Sequence, residues 1–91
     1  MTPRRWKLTV AASAERTLAR LPEKAAVAIV EFMLGPLLDS PKRVGHKLVR
    51  ELAGLWSARR GLYRIIYELD EGKRQVRVLR IDHRADVYRS R

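Results

Sequence analysis

Apolar and polar positions change period several times along this chain of 91 residues. Arg5-Trp6-Lys7-Leu8-Thr9-Val10 alternates at period two and uses β-favouring types, which predicts a first strand. From Ala11 the period lengthens. Ser13 is the expected N-cap of a short helix to about Arg20, with Leu18 and Leu21 as its buried contacts. Pro22 restarts a helix, because its missing N–H is no loss in a first turn. Ala25 to Leu34 is apolar almost all round, interrupted by Glu31, so this helix should lie on a sheet. Val27, Val30, Leu34 or their neighbours are expected to point inward. Gly35-Pro36 ends it, since Pro36 has no N–H for the carbonyl of Phe32. Leu37-Leu38 adds a turn, Asp39-Ser40-Pro41 reads as a loop, and Val44-Gly45 as irregular. Leu48 to Leu52 fits either a strand or a short turn.

Period two returns at Leu55. Strands are predicted over 55–60, 63–69 and 75–82, with a bend at Gly61-Leu62 and a turn at Asp70-Glu71-Gly72-Lys73. Residues 84–89 suit a terminal turn or helix. Strands joined by such short links form an antiparallel meander. The expected fold class is α+β: an N-terminal strand, a helical hairpin, then a three-stranded meander, in one sheet with the helices on one face. Strict alternation puts Tyr63, Ile65, Tyr67 and Leu69 on one face and Arg64, Ile66 and Glu68 on the other. It also groups Ser57 with Arg59, and Arg80 with Val76 and Val78. A register slip of one residue reverses any such assignment.

The length suits one domain over residues 1–91. The chain has no cysteine, and its two histidines, His46 and His83, show no ligand spacing, so neither a metal nor a cofactor is expected. No apolar run approaches the ~18 residues of a membrane span, and the start lacks a signal-peptide core; a cytoplasmic protein without membrane contact is the expectation. Charge changes the picture more. Twenty Lys and Arg stand against ten Asp and Glu, and the excess is uneven: +2 over residues 1–41 and +8 over 42–91. Such a surface suits a polyanion, usually nucleic acid, although excess charge also serves solubility.

The runs Leu52-Ala53-Gly54-Leu55-Trp56-Ser57-Ala58-Arg59-Arg60-Gly61-Leu62-Tyr63-Arg64-Ile65-Ile66-Tyr67 and Val78-Leu79-Arg80-Ile81-Asp82-His83-Arg84, with Val87-Tyr88, resemble the RelE/ParE superfamily of bacterial toxins, most of all its RelE-like branch. The resemblance spans essentially the whole chain and implies the toxin of a type II toxin–antitoxin system. It implies cleavage of messenger RNA in the ribosomal A site, the ribose 2′-hydroxyl attacking the adjacent phosphate. By the same resemblance Arg64 contacts the scissile phosphate, Arg84 is a second active-site arginine, and Tyr88 stacks on or orients a base. Arg59 falls at a matching basic position. Ser57 and Leu55 stand where founding members carry two lysines implicated in proton transfer, so the general base is unassigned. The implied partners are the ribosome with its message and a RelB-like antitoxin, through which alone the complex would reach operator DNA.

Arginine titrates too high for acid–base work but stabilises a phosphorane well. Among the remaining groups His83 is the expected proton-transfer candidate, weighed evenly against a strand-end structural role. His46 reads more readily as structural. Glu51, Glu68 and Tyr88 are further possibilities, while Tyr63 and Tyr67 read as core. Lys47, Arg50, Ser57, Arg77 and Arg80 are the expected RNA contacts. Two other readings remain: a ParE-like inhibitor of DNA gyrase, and a non-catalytic RNA-binding relative.

Overall fold

A computed structural model describes residues 5–83, so the expectations for residues 84–89, including the roles of Arg84 and Tyr88, lie outside the described residues. The elements run β1 (Lys7–Val10), α1 (Ala12–Arg20), α2 (Glu23–Leu34), α3 (Pro36–Asp39), α4 (Pro41–Val44), β2 (His46–Lys47), a 3-10 turn (Arg50–Leu52), β3 (Trp56–Arg60), β4 (Tyr63–Asp70) and β5 (Gln75–His83). They build one sheet in the order β1-β5-β4-β3-β2. The meander β3-β4-β5 is antiparallel as expected, and β1 adds parallel to β5.

Several local expectations need correction. Ser13 lies inside α1, and the N-cap position is Ala11. The Ser13 hydroxyl instead donates to the carbonyl of Leu79, 2.8 Å away in β5. Residues 41–44, expected as loop and irregular chain, form the short helix α4, opened by Pro41 at its first turn. In α2 the inward side chains are Ile29, Phe32 and Met33, whereas Val27, Val30 and Leu34 are exposed at 49%, 37% and 51%. With apolar residues almost all round this helix, the sequence sets no single inward face; the hairpin geometry selects it.

The helix-covered face of the sheet carries Ala58, Ile65, Tyr67, Val76, Val78 and Ile81, all buried in one cluster with the α2 residues and Leu37. Tyr67 is fully buried and donates from its hydroxyl to the carbonyl of Pro41 at 2.6 Å, and burial pushes its pKa up to about 12. Gly45 makes this contact possible. A Cβ there would fall 2.1 Å from the Tyr67 hydroxyl and 2.8 Å from the carbonyl of Ser57. Between β3 and β4, Gly61 and Leu62 make a two-residue turn that needs Gly61 at φ +61°.

Strand β5 breaks its own alternation. Ile66 pairs with Arg80 and Tyr67 with Val78, so Leu79 is an extra residue, a β-bulge. Its carbonyl is the one that accepts from Ser13. The bulge moves Arg80 off the core face, where strict alternation placed it with Val78, and turns Ile81 into the core at 3% exposure.

Candidate nucleic-acid interface

Pairing across the strands orders the face of the sheet that no described helix covers, its open face, into rows. One row reads Arg80, Ile66, Ser57 and His46, taken from β5 through β4 and β3 to β2. The next reads Asp82, Arg64 and Arg59, and a third, partial row pairs Arg77 with Glu68. Directly paired residues share a face, with Cβ atoms about 4.5–5.5 Å apart. The sequence-predicted Arg59, Arg64, Arg77, Arg80 and Ser57 therefore come together on one surface. Ile66, 7% exposed and outside the core cluster, forms an apolar floor beside Ser57, which is 2% exposed.

The four arginines are not equivalent. Asp82 takes the Arg80 guanidinium in a forked grip, accepting from Nε at 3.0 and 3.2 Å and from Nη2 at 2.7 Å. That hydrogen bonding raises the Arg80 pKa above its ordinary value, against a smaller opposing effect of burial. Arg77 lies 4.0 Å from Glu68 across the ladder. Arg59 and Arg64 have no carboxylate within ion-pair distance among the described residues, and they face each other across β3 and β4. Like charges directly opposite in a ladder are destabilising, and an anion bound between them removes the repulsion. Two planar forks so placed suit a phosphate.

The remaining predicted residues lie elsewhere. His83 pairs with Tyr63 on the helix-covered side, where the two rings meet edge to face at 5.1 Å. There it borders a cavity of about 400 Å³ shared with Thr17, Arg20 and Leu21 of the helical hairpin. The structure does not bring it to the arginine rows. Lys47 also points to the helix side, its Nζ 5.8 Å over the Trp56 ring, which in turn stacks on Tyr67. Arg50 is exposed at the start of the 3-10 turn with φ +61°. His46, which the sequence analysis reads as structural, lies on the same face of the sheet as the arginine rows. Its place on the open face follows from the pairing of β2 with Ser57, and a two-residue strand shows no periodicity to read.

Residues 8–88 match the family described as ParE toxin of type II toxin-antitoxin system, parDE. The chain belongs to this superfamily of type II toxins. Its RelE-like character comes from curated relatives. It is 48% identical over 84 residues to Toxin RelE of Mycobacterium tuberculosis, covering 92% of this chain and 87% of that protein. Toxin RelG of the same organism is 52% identical over 77 residues, covering 85% and 88%. The fold agrees. The toxin–antitoxin complex RelBE2 of M. tuberculosis contains a chain that superposes with a TM-score of 0.86 at 44% identity, covering 89% of this RelE-like toxin and 100% of that chain. The isolated E. coli RelE toxin superposes at 0.69 with 21% identity, covering 92% of each, which is a likeness of fold.

Proposed function

We propose that this RelE-like toxin is an endoribonuclease that cleaves messenger RNA in the ribosomal A site. One observation carries the reading: Arg59 and Arg64 oppose each other on an open sheet face with no carboxylate within ion-pair distance among the described residues. Their forks bind the scissile phosphate, and their fixed charge stabilises the phosphorane formed when the 2′-hydroxyl attacks. Arg77 and Arg80 border the site and bind flanking phosphates. Arg84 and Tyr88 complete it by family resemblance, Tyr88 orienting a base. The antitoxin is a RelB-like protein, in keeping with the complex formed by the M. tuberculosis relative. An excess of ten positive charges suits an acidic antitoxin segment as well as RNA.

The matched family description favours a second reading, inhibition of DNA gyrase in the manner of ParE toxins. Primer extension on a translated message after induction separates the two. Discrete breaks inside codons are the result expected of the ribonuclease. Intact messages with a DNA-damage response would overturn it in favour of gyrase.

A further inference from the structure

The arginine rows supply charge stabilisation, and the carboxylates within them are engaged with cations, Asp82 with Arg80 and Glu68 with Arg77. Arginine cannot take the 2′-hydroxyl proton, and the two positions at which the resemblance places lysines hold Leu55 and Ser57. His83 faces the helix side against Tyr63. His46 is the one histidine on the open face. It pairs directly with Ser57, whose next neighbour in the same row is Ile66, and Arg59 lies diagonally across from it on β3. Strands are spaced about 4.8 Å apart and residues about 3.4 Å along a strand, so His46, level with Ile66, and Arg64, two residues along β4 from Ile66, stand about 12 Å apart across the sheet. That gap is spanned by the small Ser57 and is wide enough for one phosphodiester with its ribose. His46 is also exposed, at the rim where a ribosome-bound strand can reach it.

We infer that His46 is the proton-transfer residue of this toxin, acting as general base on the 2′-hydroxyl of the nucleotide whose phosphate Arg59 and Arg64 hold. The inference rests on the ribonuclease reading above. In the step, neutral His46 takes the 2′ proton as the O2′–P bond forms, and the P–O5′ bond breaks with its electron pair leaving on O5′. The 5′-oxygen takes a proton from water and His46 returns its own to solvent, so no proton is gained or lost overall. The products are a 2′,3′-cyclic phosphate and a 5′-hydroxyl. The residues around the imidazole are cationic or neutral. Arg59 faces it diagonally from β3, Ser57 faces it directly, and Lys47 follows it in β2 on the opposite face. Arg43 precedes it by three residues in α4, and no carboxylate lies within ion-pair distance of it among the described residues.

The test is the single-turnover cleavage rate of ribosome-bound message between pH 5 and 8.5, with toxin saturating. Wild-type toxin is expected to show a rate that rises with pH through the histidine range. His46→Ala and His46→Gln should each lower it by about 10²-fold or more and remove the rising limb, while the affinity for ribosomes holds. Added imidazole should restore part of the His46→Ala rate. His83→Ala should keep the limb. A message with sulfur in place of the bridging 5′-oxygen needs no proton on its leaving group, so it should not rescue His46→Ala; rescue would make His46 the acid and overturn the assignment as base. Full rate with an unchanged pH profile in both His46 variants would overturn the inference while leaving the ribonuclease reading intact. Absence of cleavage by the wild type would overturn the reading itself, and this inference with it.

Discussion

The two faces of the sheet are built from the same strands, residue by residue in alternation, yet they solve opposite problems. On the helix side Ile65 and Tyr67 are fully buried, and the Tyr67 hydroxyl is answered by the carbonyl of Pro41. On the open side Arg64, the residue before Ile65, faces a second arginine. Burial removes choice: a side chain there must fit and be satisfied. Exposure permits an unfavourable juxtaposition to persist, and that is where a ligand can bind with gain.

Adjacent substitutions sharpen this contrast most. Arg64→Ala is expected to lower the single-turnover cleavage rate by about 10²–10³-fold, as for loss of a preorganised donor, with a change in unfolding free energy of about 0.5 kcal/mol or less. Ile65→Ala, one residue on, should cost about 2–5 kcal/mol of stability in denaturant titration while the folded fraction still binds RNA. Equal losses of stability in the two variants would erase the distinction between the faces.

Tyr67→Phe comes next. It strips the donor from a buried carbonyl and should cost about 1–3 kcal/mol, read by thermal or denaturant unfolding. The same hydroxyl sets an alkaline limit. Its folded pKa of about 12 lies above the ordinary tyrosine value of 10.0, so the unfolded chain ionises first. The stability it contributes is fully present below pH 10 and is lost as pH rises towards about 12. Unfolding curves of the wild type should weaken over that window more than those of Tyr67→Phe.

Smaller still is the effect of freeing an arginine. Asp82→Asn releases Arg80 from its forked partner and should steepen the salt dependence of RNA affinity by about one unit in the log–log slope. An unchanged slope would mean that Arg80 makes no phosphate contact. Least of all should be Leu34→Asp. At an exposed helix end it is expected to cost about 1 kcal/mol or less, mainly through the helix dipole, whereas Ile29→Asp should unfold the domain. Comparison of their melting temperatures checks this.

The sequence made the elements legible where the period was sustained. The meander, its turn at residues 70–73 and the stop at Gly35-Pro36 all follow from spacing and backbone chemistry, and the arginines of the open face follow from alternation along β3 and β4. Three things were not legible. The inward face of α2 is set by packing, because Val27, Val30 and Leu34 are as apolar as the residues that are buried. The place of His46 depends on a long-range pairing of only two residues. Ser13 looked like a cap because its hydroxyl suits one; the same hydroxyl serves a carbonyl 66 residues away, which no local pattern encodes.

The bulge at Leu79 gives β5 an odd phase. Counted from Val78, a continuous strand reaches Arg80 on the same side and Ile81 on the other; the extra residue inverts everything that follows, including Asp82 and His83. Loss of Leu79 would therefore leave both faces correctly populated, with Arg80 following Val78 directly in ordinary alternation. What would vanish is the local twist and the anchor for Ser13. The strand thus carries a spare residue that chemistry does not need for its pattern but that geometry uses for its aim. A deletion there is a shift of direction rather than of composition, and it offers this toxin a way to re-point Arg80 while its inventory of charges stays the same.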